Sequence, residues 1–141
     1  MFKCVLIAVD VNDADGATRV MQAAMSMIHD PDATFHVLNV VPETGMAMVG
    51  NLLGPDHSHQ IIEEAKSLLE RWAQTTIPAE IDARLHVSQG TIYDRIIKAA
   101  EEVSADAIVV GAHRPGLQDY LIGPNAARVA RHARQSVFVI R

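Results

Sequence analysis

Apolar residues fall along this chain in two alternating rhythms, short continuous runs and stripes spaced by three and four. Residues 4–9, from Cys4 to Val9, form the first run, bounded by Asp10, Asn12, Asp13 and Gly16. A run this short and this apolar predicts a strand buried on both faces, as in a parallel sheet. Ala17, Val20, Met21, Ala24, Met25 and Ile28 then line one face of a helix, closed by Pro31. Residues 34–41 are a second apolar, β-branched run, stopped by Pro42. A helical stripe follows at Ile61, Ile62, Ala65, Leu68, Leu69 and Trp72. Residues 80–87 alternate instead, with Ile81, Ala83, Leu85 and Val87 on one side, which predicts a less buried strand near a sheet edge. Thr91 stands at a helix-cap position before Ile92, Ile96, Ile97, Ala100 and Val103. Residues 105–110 read as the third apolar strand, ending at Gly111. Ala126, Val129, Ala130 and Ala133 mark the last helix, and residues 137–140 the last strand.

Strict alternation of strand and helix predicts an α/β fold, an open five-stranded parallel sheet covered by helices on both faces. Order 3-2-1-4-5 is the expected arrangement, Rossmann-like in its double winding. No repeat or linker divides the chain, so residues 1–141 are expected to form one domain. The irregular stretch is 42–57, where glycines and prolines interrupt Met46, Met48, Leu52 and Leu53. A connection of that length is either a functional lid or a plain excursion before a helix.

Charge and composition narrow the class of partner. Twelve Lys and Arg against 17 Asp and Glu give a net charge of −5, which disfavours a duplex nucleic-acid surface. Cys4 is the one cysteine, so no internal disulfide forms and inert packing at the start of a buried strand is expected. Neither a signal peptide nor a run of roughly 20 apolar residues is visible, which makes the cytoplasm the expected location.

In an open α/β sheet, ligands sit beyond the carboxyl ends of strands, where successive connections leave to opposite faces. For order 3-2-1-4-5 that crevice lies between strands one and four, at Asp10 to Asp13 and from Gly111 to Pro124. Gly111 allows close approach to the backbone, and Gly123 leaves the N–H groups of the last helix open to an anion. His113 and Arg114 add donors, Arg114 with a fixed charge suited to phosphate. The carboxylate of Asp10, or the backbone beside it, stands where a base or ribose would be read.

The stretch GAHRPGLQDYLIGPNAARVARHARQSVFVIR resembles the carboxy-terminal signature of the universal stress protein family, in particular its branch with a His-Arg-Pro loop. VLIAVD near the start and ADAIVVGAH before the signature extend the resemblance over the whole chain. The resemblance implies a dimeric fold that binds ATP, ADP or AMP, with Mg²⁺ on the phosphates. The family pattern is Gly, two residues, Gly, nine residues, Gly, then Ser or Thr. Gly111 fits its first position, with Ala112 beside it, and Gly123 its third glycine. Arg114 replaces the second glycine after His113, and eight residues rather than nine separate it from Gly123. Pro124 replaces Ser or Thr, which removes a hydroxyl. Proline is favoured in a helix's first turn, so the N–H groups of Asn125 and Ala126 would remain for phosphate. One lost charge-assisted hydrogen bond costs about 1.5–3 kcal/mol, which weakens binding without abolishing it. By the same resemblance Ala8, Val9 and Asp10 would line the adenine site, with the backbone of Val40 on its other side.

Three classes of function stay open at this level. The first is a regulatory adenine-nucleotide-binding protein acting through a protein partner. The second is a slow ATP-cleaving or adenylating enzyme, although no Walker lysine, Gly-rich Rossmann fingerprint or nucleophile–base pair is present. The third is a nucleotide-free interaction module, for which Arg114 and Pro124 argue. His57, Ser58 and His59 lack the further ligands a metal site needs and read as solvated loop residues. Met21, Met25 and Met27 read as packing on or capping a helix face, and Arg131, His132 and Arg134 as cations suited to a helix carboxyl end. Val137, Phe138, Val139 and Ile140 would form an uncharged edge strand, and pairing with a second copy would cover it.

Overall fold

A computed structural model describes residues 1–42, 55–112 and 123–141. The described elements are β1 (Cys4–Val9), α1 (Ala14–Met27), β2 (Thr34–Pro42), α2 (Pro55–Thr76) and β3 (Asp82–Gly90), followed by α3 (Ile92–Glu102), β4 (Ala107–Gly111), α4 (Gly123–His132) and β5 (Ser136–Ile140). All five strands pair in parallel, in the order β3-β2-β1-β4-β5 that the alternation predicted.

Side-chain alternation along β1 divides the core between the two faces. Val5, Ile7 and Val9 pack with α1 and α2, whereas Leu6 and Ala8 pack with α3 and α4. Val5, Leu6 and Ile7 have no exposed surface, as expected for a central strand of a parallel sheet. On the first face, Trp72 of α2 donates from Nε1 to Thr18 Oγ1 of α1 at 3.1 Å, which satisfies its one polar atom. Ile81, Ala83, Leu85 and Val87 all pack on that same face, so the period-two reading holds, and β3 is indeed an edge strand. Its carboxyl end needs glycine. Gly90 has φ +146°, and a Cβ there would meet Arg95 Nε at 2.6 Å.

Several expectations are corrected. β3 begins at Asp82 and runs to Gly90, and β4 begins at Ala107, since Ala105 N–H still donates back to the Ala100 carbonyl at the end of α3. The Asp106 carboxylate accepts from the backbone N–H groups of Lys3 and Cys4. The irregular stretch is shorter at both ends, since Pro42 still belongs to β2 and Pro55 opens α2, where proline's missing N–H costs nothing. His57, Ser58 and His59 therefore lie in the first turns of α2, not in a loop. The remainder of that stretch, with Met46 and Met48, lies outside the described residues. Met27 is 41% exposed and packs no core face, unlike Met21, which is fully buried. Ala130 is likewise exposed, while Ala126 and Val129 carry the buried stripe of α4. That helix ends at His132, so Arg134 lies beyond it. Thr91 is the N-cap residue of α3 but makes no side-chain capping bond.

Candidate functional site

The crevice originates in the register of β1. That strand pairs with β2 through Val9, opposite Asn39, but its pairing with β4 covers only Val5, Leu6 and Ile7. Both strands run on for two more residues, Ala8 and Val9 in β1 and Val110 and Gly111 in β4, without pairing to each other, so they part where the chain leaves the sheet after each. Beyond Val9 the chain turns sharply. The carbonyl of Asp10 accepts from Asp13 N–H at 2.9 Å, and Asp10 Oδ1 accepts from Asn12 N–H at 3.0 Å. Asp13 then caps α1, its Oδ1 accepting from Gly16 N–H at 3.3 Å. A Cβ at Gly16 would meet that Asp13 carboxylate, so a side chain there would have to displace the cap.

Two cavities open on this turn and share Ala8, Val9 and Asp10. The larger, about 220 Å³, lies over the ends of β1 and β2 between α2 and α3, with Val40 in its wall. Leu38, Ile92 and Ile96 make it apolar, and Asp10, Asn39 and Glu64 supply polar atoms. A concave apolar pocket with few polar groups is the form that small-molecule sites take. The smaller, about 40 Å³, lies on the α1 side and brings Gly111 and Ala112 against Asp10, Asp13 and Arg19. Ala112 N–H donates to the Ile140 carbonyl at 2.6 Å, which ties the end of β4 to β5.

Six of the sequence-derived site residues therefore gather at one place: Ala8, Val9, Asp10, Val40, Gly111 and Ala112. Four others sit at the start of α4 and line neither cavity. Gly123 opens the helix, so Pro124 is its second residue rather than its first, and it is exposed. Ala126 is buried in the core. Asn125 uses its side chain, with Oδ1 accepting from Tyr93 N–H of α3 at 3.0 Å. His113 and Arg114 lie outside the described residues. Among the described residues, the charged groups lining the two cavities are Asp10, Asp13, Glu64 and Arg19, so this part of the crevice is not basic.

Two contributors were not singled out from sequence. Asn39 is 3% exposed inside an apolar strand, and its Oδ1 accepts from Val11 N–H at 3.1 Å, holding the turn after β1. A lone amide in the run 34–41 was the available signal, since a buried amide needs a partner. The second contributor is α2, whose Ile61, Glu64, Ala65 and Leu68 form a stripe along the cavity wall. Leu68 was expected in the core but is 41% exposed, which its place on that wall explains. No three His, Cys, Asp or Glu side chains gather at metal-binding distance among the described residues. No described helix is long and apolar enough to cross a membrane.

Comparison with known proteins agrees with this fold. The family model "Universal stress protein family" matches residues 1–141. Universal stress protein G of Shigella flexneri is 28% identical over 147 aligned positions, covering 100% of both chains. Among solved structures, that of hypothetical protein MJ0577 superposes with a TM-score of 0.81 at 20% identity, covering 99% of this chain and 96% of that one. A universal stress protein in complex with cAMP superposes at 0.60 with 19% identity, covering 99% and 97%. Another, from Archaeoglobus fulgidus in complex with dAMP, superposes at 0.60 with 21% identity, covering 99% and 98%. Together with the full-length match, the five-stranded parallel sheet and its order lead to one conclusion: this chain belongs to the universal stress protein family.

Proposed function

We propose that this protein binds an adenine nucleotide (ATP, or ADP or AMP) in the crevice at the end of β1, and acts through a protein partner rather than by chemistry of its own. The observation that carries the proposal is the 220 Å³ apolar cavity lined by Ala8, Val9, Asp10 and Val40, the residues the family resemblance assigns to the base. The base lies against Leu38, Ile92 and Ile96, and the backbone of β1 and β2 reads its edge. Support comes from relatives of the same fold solved with cAMP and dAMP.

The phosphates extend toward Gly111 and the first turn of α4, whose leading N–H groups have no partner within the helix. His113 and Arg114, assigned to the phosphates on sequence alone, would add donors and a fixed positive charge. Mg²⁺ would be carried on the phosphates, where it would offset part of their charge. The acidic turn at Asp10 and Asp13 then favours the metal complex over the bare polyanion. The protein works in the cytoplasm as a homodimer paired through Val137, Phe138, Val139 and Ile140 of β5.

Thermal unfolding with ATP, ADP, AMP or GTP tests this reading. The adenine nucleotides raise the midpoint and GTP does not, since ligand binding to the folded state alone stabilises it by mass action. Equal shifts with ATP and GTP would remove the base from the cavity.

A further inference from the structure

The amino-terminal turns of α3 and α4 are joined by one side chain. Thr91 occupies the N-cap position of α3 without making the capping bond, and the N–H of Tyr93, the second helical residue, is satisfied instead by Asn125 Oδ1 at 3.0 Å. An N-cap normally comes from the same helix. Here it comes from the third residue of another helix, 32 positions along the chain.

That contact links two regions with different tasks in the proposed site. Ile92, adjacent to Tyr93, lines the cavity assigned to the base, and Ile96 follows one turn later. The first turn of α4 carries the N–H groups assigned to the phosphates. Further along α4, Arg128 lies over the Tyr93 ring at 5.2 Å, and Val129 is fully buried. The body of α4 is thus held by packing. Its first turn has an exposed Pro124 on one side of Asn125 and the core residue Ala126 on the other.

We propose that Asn125 is a positioning residue for nucleotide binding: its side-chain bond to Tyr93 fixes the first turn of α4, and so the phosphate donors, at a set distance from the base cavity. The inference rests on the nucleotide reading above. It gives Asn125 a role beyond its backbone N–H, because the amide side chain acts through α3 and not on the ligand.

The test compares wild type with Asn125→Ala and Asn125→Asp, using ATP, adenosine and the Tyr93 amide as readouts. Alanine removes the acceptor, so Tyr93 N–H loses its protection against hydrogen exchange. ATP affinity falls about fivefold, as expected for one net hydrogen bond, while adenosine affinity changes less than about twofold. Asn125→Asp keeps an acceptor oxygen, and with it both the Tyr93 protection and the adenosine affinity. The proposal is overturned if alanine weakens ATP and adenosine by the same factor, which is the signature of a purely structural role. It is equally overturned if Tyr93 protection is lost while ATP affinity stays at the wild-type value. Wild-type protein that binds neither ligand would remove the nucleotide reading itself, and this proposal with it, whatever the Tyr93 amide shows.

Discussion

His36 Nδ1 and His86 Nε2 lie 2.9 Å apart, joining β2 to the edge strand β3, with their rings stacked at 5.1 Å. A hydrogen bond between two imidazoles needs one donor and one acceptor, so the pair cannot carry a proton on every ring nitrogen. Burial lowers both residues from the usual 6.5, and the Arg84 guanidinium lowers both further; His86 adds to the effect on His36. Asp82 opposes the shift at His36 and Glu102 opposes it at His86. With folded values below unfolded ones, the unfolded chain binds more protons in the window just under pH 6.5. Stability is therefore lost as pH falls through 6.5 and levels off below the folded values. Denaturant unfolding between pH 8 and pH 5 checks this. His86→Gln flattens that slope; an unchanged slope would remove the pair as its source.

Asn39 is the polar group on which the turn after β1 depends. Asn39→Ala leaves the part-buried Val11 N–H without its acceptor and costs about 1 kcal/mol, the net worth of a typical hydrogen bond. Because Val11 and Asn12 line the larger cavity, nucleotide affinity falls with stability. Urea titration and calorimetry measure the two effects. A loss of stability below about 0.5 kcal/mol, the range of ordinary surface substitutions, would contradict the role given to this amide.

Val139 is 44% exposed on β5, an edge strand of the sheet. An apolar edge in water pairs with another chain unless something blocks it. The proposed pairing through β5 predicts sedimentation as a dimer at micromolar concentration for the wild type and as a monomer for Val139→Lys. A wild-type monomer would contradict the proposed interface.

Cys4 is expected to react slowly. Its Sγ–H donates to the Val103 carbonyl at 3.3 Å, and burial, followed by the Asp106 carboxylate, raises its pKa. Since the thiolate is the reactive form, iodoacetamide labels native protein at pH 7.5 more slowly than urea-unfolded protein. Equal rates would show the thiol to be open.

Much of this architecture can be read from hydrophobic period. Continuous runs marked the strands buried on both faces, and the alternation at Ile81, Ala83, Leu85 and Val87 marked the edge. Sheet order followed from the strict alternation of elements, and the crevice from the sheet order. The details that failed depend on contacts distant in sequence. Nothing near Thr91 shows that Asn125 will take over its capping bond, and nothing near Leu68 shows that α2 will wall a cavity at the end of β1. Asn39 and His36 were visible as polar interruptions of an apolar strand, but their partners, Val11 and His86, are 28 and 50 residues away. Ala126 shows the reverse case. The motif made it a phosphate donor, while the apolar stripe of α4 already placed its side chain in the core.

The crevice at Ala8, Val9, Asp10 and Val40 is proposed to hold an adenine nucleotide. Denaturing the purified protein and identifying any released nucleotide by chromatography tests this most directly, with calorimetric titration of ATP into protein freed of nucleotide as its second arm. The expected result is an adenine nucleotide in the released fraction and saturable rebinding of ATP. No released nucleotide, together with no heat of binding at millimolar ATP, would contradict the proposal and leave a nucleotide-free interaction module.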